Sequence, residues 1–169
     1  LALLAGVAGG MAWAAITAVL RDRFNANEIL VSLMLVYVAE LLLSYLMHGA
    51  LMDPDGFGFP QSRLFSDGWL LPIVIPGTRL HIGIVLALVA AIAGWLYLSR
   101  SFSGFKLQVG GIAPMAARYA GFSSRSSLWI CLLVSGGLAG LAGAIEALGP
   151  IGQLTPSISP GYGFAAIIV

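Results

Sequence analysis

Apolar residues gather into four long runs, at residues 1–20, 28–48, 80–98 and 127–148, separated by polar or glycine- and proline-rich breaks. Each run approaches the roughly 20 residues needed to cross about 30 Å of hydrocarbon, so the pattern predicts four membrane-spanning helices. Residues 164–169 read as the start of a fifth, and the chain is therefore expected to be a piece of a longer membrane protein. Arg21, Asp22 and Arg23 are expected to end the first helix. Asn25 is expected to cap the second, with Glu28 three residues on reaching back to it as in a capping box. Residues 49–79 carry three aspartates, two arginines and many helix breakers and form a loop. Its apolar patch at 69–75 is too short to span and is expected to rest at an interface or against the bundle. Trp95 and Tyr97 suit an aromatic belt at the end of the third helix.

Between the third and fourth runs lies a basic, glycine-punctuated stretch, residues 104–125, with Lys106, Arg118 and Arg125 and no acid. Inside it, residues 114–120 predict one short helix. Pro114 suits the first helical position, where its missing N–H costs nothing. Gly121 suits the position past the end, where a left-handed backbone closes the helix. A rod of about 10 Å is too short to be stable alone and must lean on protein, lipid or a partner.

Composition agrees with the pattern. The 169 residues are 59% hydrophobic and only 9% charged, with mean hydropathy +0.97, whereas soluble domains carry about 25% charge. A formal charge of +1 gives no reason to expect a nucleic-acid partner. The lone Cys131 excludes an internal disulfide framework and a cysteine-based zinc site. Charge also orients the helices. If the four alternate, residues 20–28 and 99–126 share one side and hold six of the eight Lys and Arg. The positive-inside rule then places loop 99–126 in the cytoplasm and loop 49–79 outside.

Few residues could carry chemistry. Glu40 falls near the middle of the second helix, where an ionised carboxylate costs about 3 kcal/mol on insertion scales. Tyr37, Glu40, Ser44 and His48 share one helical stripe, readable either as a polar wall of a substrate path or as a packing contact. Glu146, near the outer end of the fourth helix, is a further candidate for that path. Gly136, Gly140 and Ala144, with a second pair Ala139 and Gly143, offer small-residue faces for close helix packing. His48 and His81 lack a ligand cluster, so no metal is expected, and no catalytic constellation or cofactor motif stands out. No Gly-x-x-x-x-Gly-Lys-Ser/Thr run occurs, so ATP binding by such a loop is not expected.

The order of pieces resembles the permease subunits of bacterial ABC importers for nucleosides and simple sugars, relatives of the ribose and branched-chain amino acid permeases. The matching residues are Asn27-Glu28-Ile29, Leu33 to Ala39, Asp53-Pro54 and Pro60-Gln61-Ser62. They continue with Gly104 to Gly110, Ala116 to Gly121, Ser135 to Gly143 and Gly161 to Phe164, covering nearly the whole chain. The resemblance implies an all-α polytopic bundle forming a single permease domain over 1–169. It implies that 114–120 is a coupling helix docking on a cytoplasmic ATPase through Pro114, Met115, Ala117, Arg118, Tyr119 and Gly121. The partners implied are ABC ATPase subunits, a second permease subunit and an extracytoplasmic substrate-binding protein, all around an inner membrane. An ion-gradient transporter using Glu40 is the rival expectation, and a branched-chain amino acid ABC permease is another.

Overall fold

The computed structural model describes residues 1–54, 59–66, 68, 70–72, 81–156, 158, 161 and 163. Six α-helices follow in order: α1 (Ala2–Phe24), α2 (Glu28–Met47), α3 (Gly83–Arg100), α4 (Phe102–Ile112), α5 (Pro114–Tyr119) and α6 (Ser124–Glu146). A π-helical turn, Ala147–Ile151, prolongs α6. Four of these are long and apolar enough to cross a membrane: Ala2–Phe24, Glu28–Met47, Gly83–Arg100 and Ser124–Gly149. The architecture is an all-α polytopic bundle. The expected fifth segment, 164–169, lies outside the described residues, as do Leu80 and most of the apolar patch at 69–75. The described part of that patch rests against the end of α6, with the Leu71 N–H donating to the Leu148 carbonyl at 3.0 Å.

The first junction differs from the sequence expectation. Arg21, Asp22 and Arg23 stay helical: the two arginines complement the dipole at the helix C-terminus, and Arg21 and Asp22 find partners there. Arg21 pairs with Glu28 at 3.2 Å and donates to the Ala26 carbonyl at 3.1 Å. Asn25 does not start α2. It ends α1 in the left-handed region at φ 51°, ψ 31°, its N–H donating to Leu20, a conformation asparagine tolerates better than most residues. Asn27 is the N-cap instead, its side chain accepting from the Ile29 N–H at 3.0 Å. Glu28 consequently turns to Arg21 rather than back to Asn25.

The bundle is built on one pair. α1 and α6 run antiparallel along most of their length, while α2 and α3 touch the rest sparingly. At Gly6, Gly10, Gly136 and Gly140 their seam brings backbone close to backbone, with the Val7 and Met11 side chains packed on Gly137 beside it. A Cβ added to Gly10 would lie 2.8 Å from Gly140 Cα and press into the Gly136 carbonyl, and one on Gly6 would lie 2.6 Å from Ala144 Cβ. Lipid tails supply no hydrophobic drive to join helices, so close van der Waals approach through small residues does so. Gly143 lies off this seam with nothing within 4 Å among the described residues, and Ala139 is exposed. The expected second packing pair therefore plays no part in the α1–α6 contact: two face residues three positions from the seam look elsewhere.

Both ends of the pair are tied. At one, Arg125 reaches Asp22 at 2.6 Å and the Trp129 indole N–H donates to the same carboxylate at 3.3 Å. These contacts hold the end of α1 against the start of α6. At the other end the loop after α2 is stitched to the chain after α6. Ser62 N–H donates to Leu154 at 3.0 Å, Phe65 N–H to Gly152 at 2.9 Å, and the Gln153 amide to Gln61 Oε1 at 2.9 Å.

Candidate functional site

Two places combine unusual exposure with polar groups: the stretch between α3 and α6, and a crevice within the bundle. The stretch is more ordered than its glycines suggest. An eleven-residue helix, α4, precedes the expected short one. Ser101 caps α4 by accepting from the Gly104 N–H at 2.9 Å. Gly104 is required where α4 folds back on α3, since a Cβ would lie 2.7 Å from Leu98 Cα. Phe102, Phe105 and Phe122 form a three-ring cluster with centroids 6.2 to 6.5 Å apart, and the Lys106 ammonium sits 4.5 Å from the Phe102 centroid. Aromatic and cation–π contacts of this kind offset the glycine cost in α4 and fasten it to Phe122, three residues past the end of α5.

α5 itself spans Pro114–Tyr119 with Pro114 at its first turn. It closes in a Schellman motif: Phe122 N–H donates to the Ala117 carbonyl at 2.9 Å and Gly121 N–H to Arg118 at 3.0 Å, with Gly121 at φ 76°. These bonds satisfy carbonyls that a six-residue helix would leave bare. Ala117 is 4% exposed and packs inward beside a small cavity shared with Lys106, Phe122 and Cys131. It anchors the rod from behind and cannot face a partner, which corrects its place among the expected docking residues. Met115 is 68% and Tyr119 93% exposed. They stand four residues apart on one face, with Pro114 and Arg118 also exposed.

The crevice, about 270 Å³, lies between α1, α2 and α6. Trp13, Thr17, Ser32 and Ser135 are its polar-tipped residues, Val36 and Gly136 part of its apolar wall. None of the expected path residues lines it. Tyr37 is 59% exposed and Glu40 is exposed beside it on the outer flank of α2. The Ser44 carbonyl accepts from His48 Nδ1 at 2.8 Å, and Glu146 is half-buried at the far end of α6. The four are not brought together in that cavity. Helical spacing alone aligns Tyr37, Glu40, Ser44 and His48 on one stripe, but which stripe of α2 faces the crevice depends on its packing against α1 and α6. The crevice draws one hydroxyl from each of three helices, Thr17, Ser32 and Ser135, a pattern that spacing within one helix cannot register.

Four membrane-length helices, a glycine-packed pair and a rod projecting from a loop define a multi-pass membrane protein with a surface-exposed loop helix. The chain belongs to the family described as branched-chain amino acid transport system / permease component, whose model matches residues 1–169. It is 36% identical to the glucose ABC transporter permease protein of Haloferax volcanii over 99% of this chain and 46% of that protein. It is also 36% identical to the guanosine ABC transporter permease protein of Bacillus subtilis, over 88% of this chain and 43% of that one. A nucleoside ABC transporter permease protein of Lactococcus lactis subsp. cremoris is 28% identical over 99% of this chain and 54% of its own length. The chain thus spans about half the length of these relatives. No solved structure matches it significantly.

Proposed function

We propose that the chain is part of a permease subunit of an ATP-driven importer for a nucleoside or simple sugar, with α5 coupling it to a separate ATPase. The observation that carries this reading is the build of α5: anchored by Ala117 and a Schellman closure, it presents Met115, Arg118 and Tyr119 outward. A rod braced from behind transmits a push from a partner along α6, which begins at Ser124. Relatives named for guanosine and glucose transport support the solute class. The excess of Lys and Arg in residues 20–28 and 99–126 supports a cytoplasmic position for α5 at the inner membrane, with loop 49–79 outside.

The partners of this reading are cytoplasmic ABC ATPase subunits, a second permease subunit and an extracytoplasmic substrate-binding protein. Glu40 supports protein cover over α2: exposed in mid-helix, it would cost about 3 kcal/mol against lipid. Catalysis belongs to the ATPase, and the permease contributes the path. Transport then proceeds by alternating access, closure of the ATPases moving α5 and, through it, α6.

Reconstitution with the cognate ATPase in liposomes tests this. Arg118→Glu and Tyr119→Asp are expected to lower ATP-driven guanosine or glucose uptake more than tenfold while membrane insertion stays normal. Unchanged uptake and unchanged ATPase capture in a pull-down would sink the coupling role of α5.

A further inference from the structure

We infer that the crevice between α1, α2 and α6 is a binding subsite for a neutral, hydroxyl-bearing solute, held by Thr17, Ser32 and Ser135 with the Trp13 indole beside them. This rests on the transport reading above and names the place in this chain where solute is held.

Thr17 carries the argument. It is 4% exposed and lines the crevice, yet its hydroxyl makes no hydrogen bond to any described residue. The same holds for Ser32 and Ser135. Serine and threonine inside membrane helices ordinarily donate back to the carbonyl one turn earlier, as Ser99 does to Trp95 at 2.7 Å here. Three hydroxyls from three helices that forgo this and converge on one cavity leave donors and acceptors available to a guest. The Thr17 side chain is buried as a whole but opens into the cavity, as do those of the exposed Ser32 and Ser135, so the three hydroxyls are within reach of a guest.

The chemistry of the wall selects the guest. No lining residue is charged. A zwitterionic amino acid would arrive with an ammonium and a carboxylate and find no countercharge for either, a heavy desolvation cost. A nucleoside or sugar brings hydroxyls that both donate and accept, matching the three side chains. Trp13 adds a flat apolar face and one N–H donor, suited to a base or a sugar face. The volume, about 270 Å³, lies just below the range of about 300–1,000 Å³ usual for ligand cavities, so it suits a subsite for part of a solute. The site also sits in the half of the bundle nearer the Asp22–Arg125 end, since Thr17 and Ser32 are close to the α1–α2 junction.

The test uses the whole permease with its ATPase in liposomes, Cys131 replaced by Ser, and guanosine, glucose and leucine as probes. Ser135→Cys is expected to react with a small water-soluble thiol reagent and to be protected by guanosine or glucose. Thr17→Val should raise KM for the transported probe about fivefold, the scale of one lost hydrogen bond, with kcat little changed. Thr17→Ser, which keeps the hydroxyl, should stay within about twofold. If the thiol never reacts, another helix fills the crevice and the inference is overturned. If it reacts but the transported probe gives no protection and Thr17→Val leaves KM unchanged, the subsite is wrong while the transport reading stands. Stronger protection by leucine overturns the neutral class. No ATP-driven uptake of guanosine or glucose overturns the transport reading, and this inference with it.

Discussion

Gly140 and Gly143 stand three residues apart on α6, in the same helix and near the same depth, yet the structure assigns them opposite fates. A Cβ on Gly140 would lie 3.0 Å from Gly10 Cα and press into the Gly6 carbonyl, whereas one on Gly143 would meet nothing within 4 Å among the described residues. Replacing each by Ala gives the same propensity gain, about 1 kcal/mol, so that term cancels in the comparison. What remains is the steric one. Ordinary Cβ contacts begin at 3.4 Å, so Gly140→Ala forces α1 and α6 apart by several tenths of an ångström along the seam. Overpacking of one methyl costs about 1–3 kcal/mol, and here the obstacle is backbone, which has no rotamer to yield. Gly140→Ala should therefore fall about 1–3 kcal/mol below Gly143→Ala. Reversible unfolding of the purified permease in mixed micelles, followed by helical circular dichroism against denaturing detergent, measures the difference. Equal midpoints for the two variants would refute a seam built on Gly140.

Two further outcomes follow from the loop and its ties. Gly121→Ala places a side chain at φ 76°, which costs about 1–2 kcal/mol for a residue with a Cβ. It should loosen the α5 closure, read as faster protease cleavage between α5 and α6 with the transmembrane helices intact; an unchanged cleavage rate would contradict this. Asp22→Arg should shift Trp129 fluorescence by removing the indole's acceptor at 3.3 Å. Combining it with Arg125→Asp should restore the crossing pair but not the wild-type fluorescence, and failure of the swap to recover assembly would argue against the pairing.

The four spanning helices were legible because hydrophobic length is a strong signal that tertiary contacts do not override. The α5 boundaries were equally legible, since Pro114 and Gly121 act through local backbone chemistry. α4 was not. Its Gly104, Gly110 and Gly111 argue against helix locally, and it forms because Phe102, Phe105 and Phe122 close over it and Gly104 must clear Leu98. The junction at Asn25 was misassigned because asparagine both starts and stops helices, and three residues held two asparagines. Gly136 and Gly140 fell on the seam while Gly143 did not, since a small residue signals close packing without saying which side it faces. The crevice was invisible for a related reason: its hydroxyls come from three helices, and only the antiparallel register of α1 and α6 draws Thr17 and Ser135 together.

That register has a mechanical side. Where Gly6, Gly10, Gly136 and Gly140 meet, the contact is largely backbone on backbone with no rotamer to absorb displacement, which favours α1 and α6 moving together there rather than sliding past each other. One end of the pair is rooted in the turn that closes α5, the other in the hydrogen-bonded stitching of Gln61, Ser62 and Phe65 to Gly152, Gln153 and Leu154. A tilt imposed at one end of the pair is therefore passed toward the other through the glycine contacts, with the hydroxyl-lined crevice on its flank.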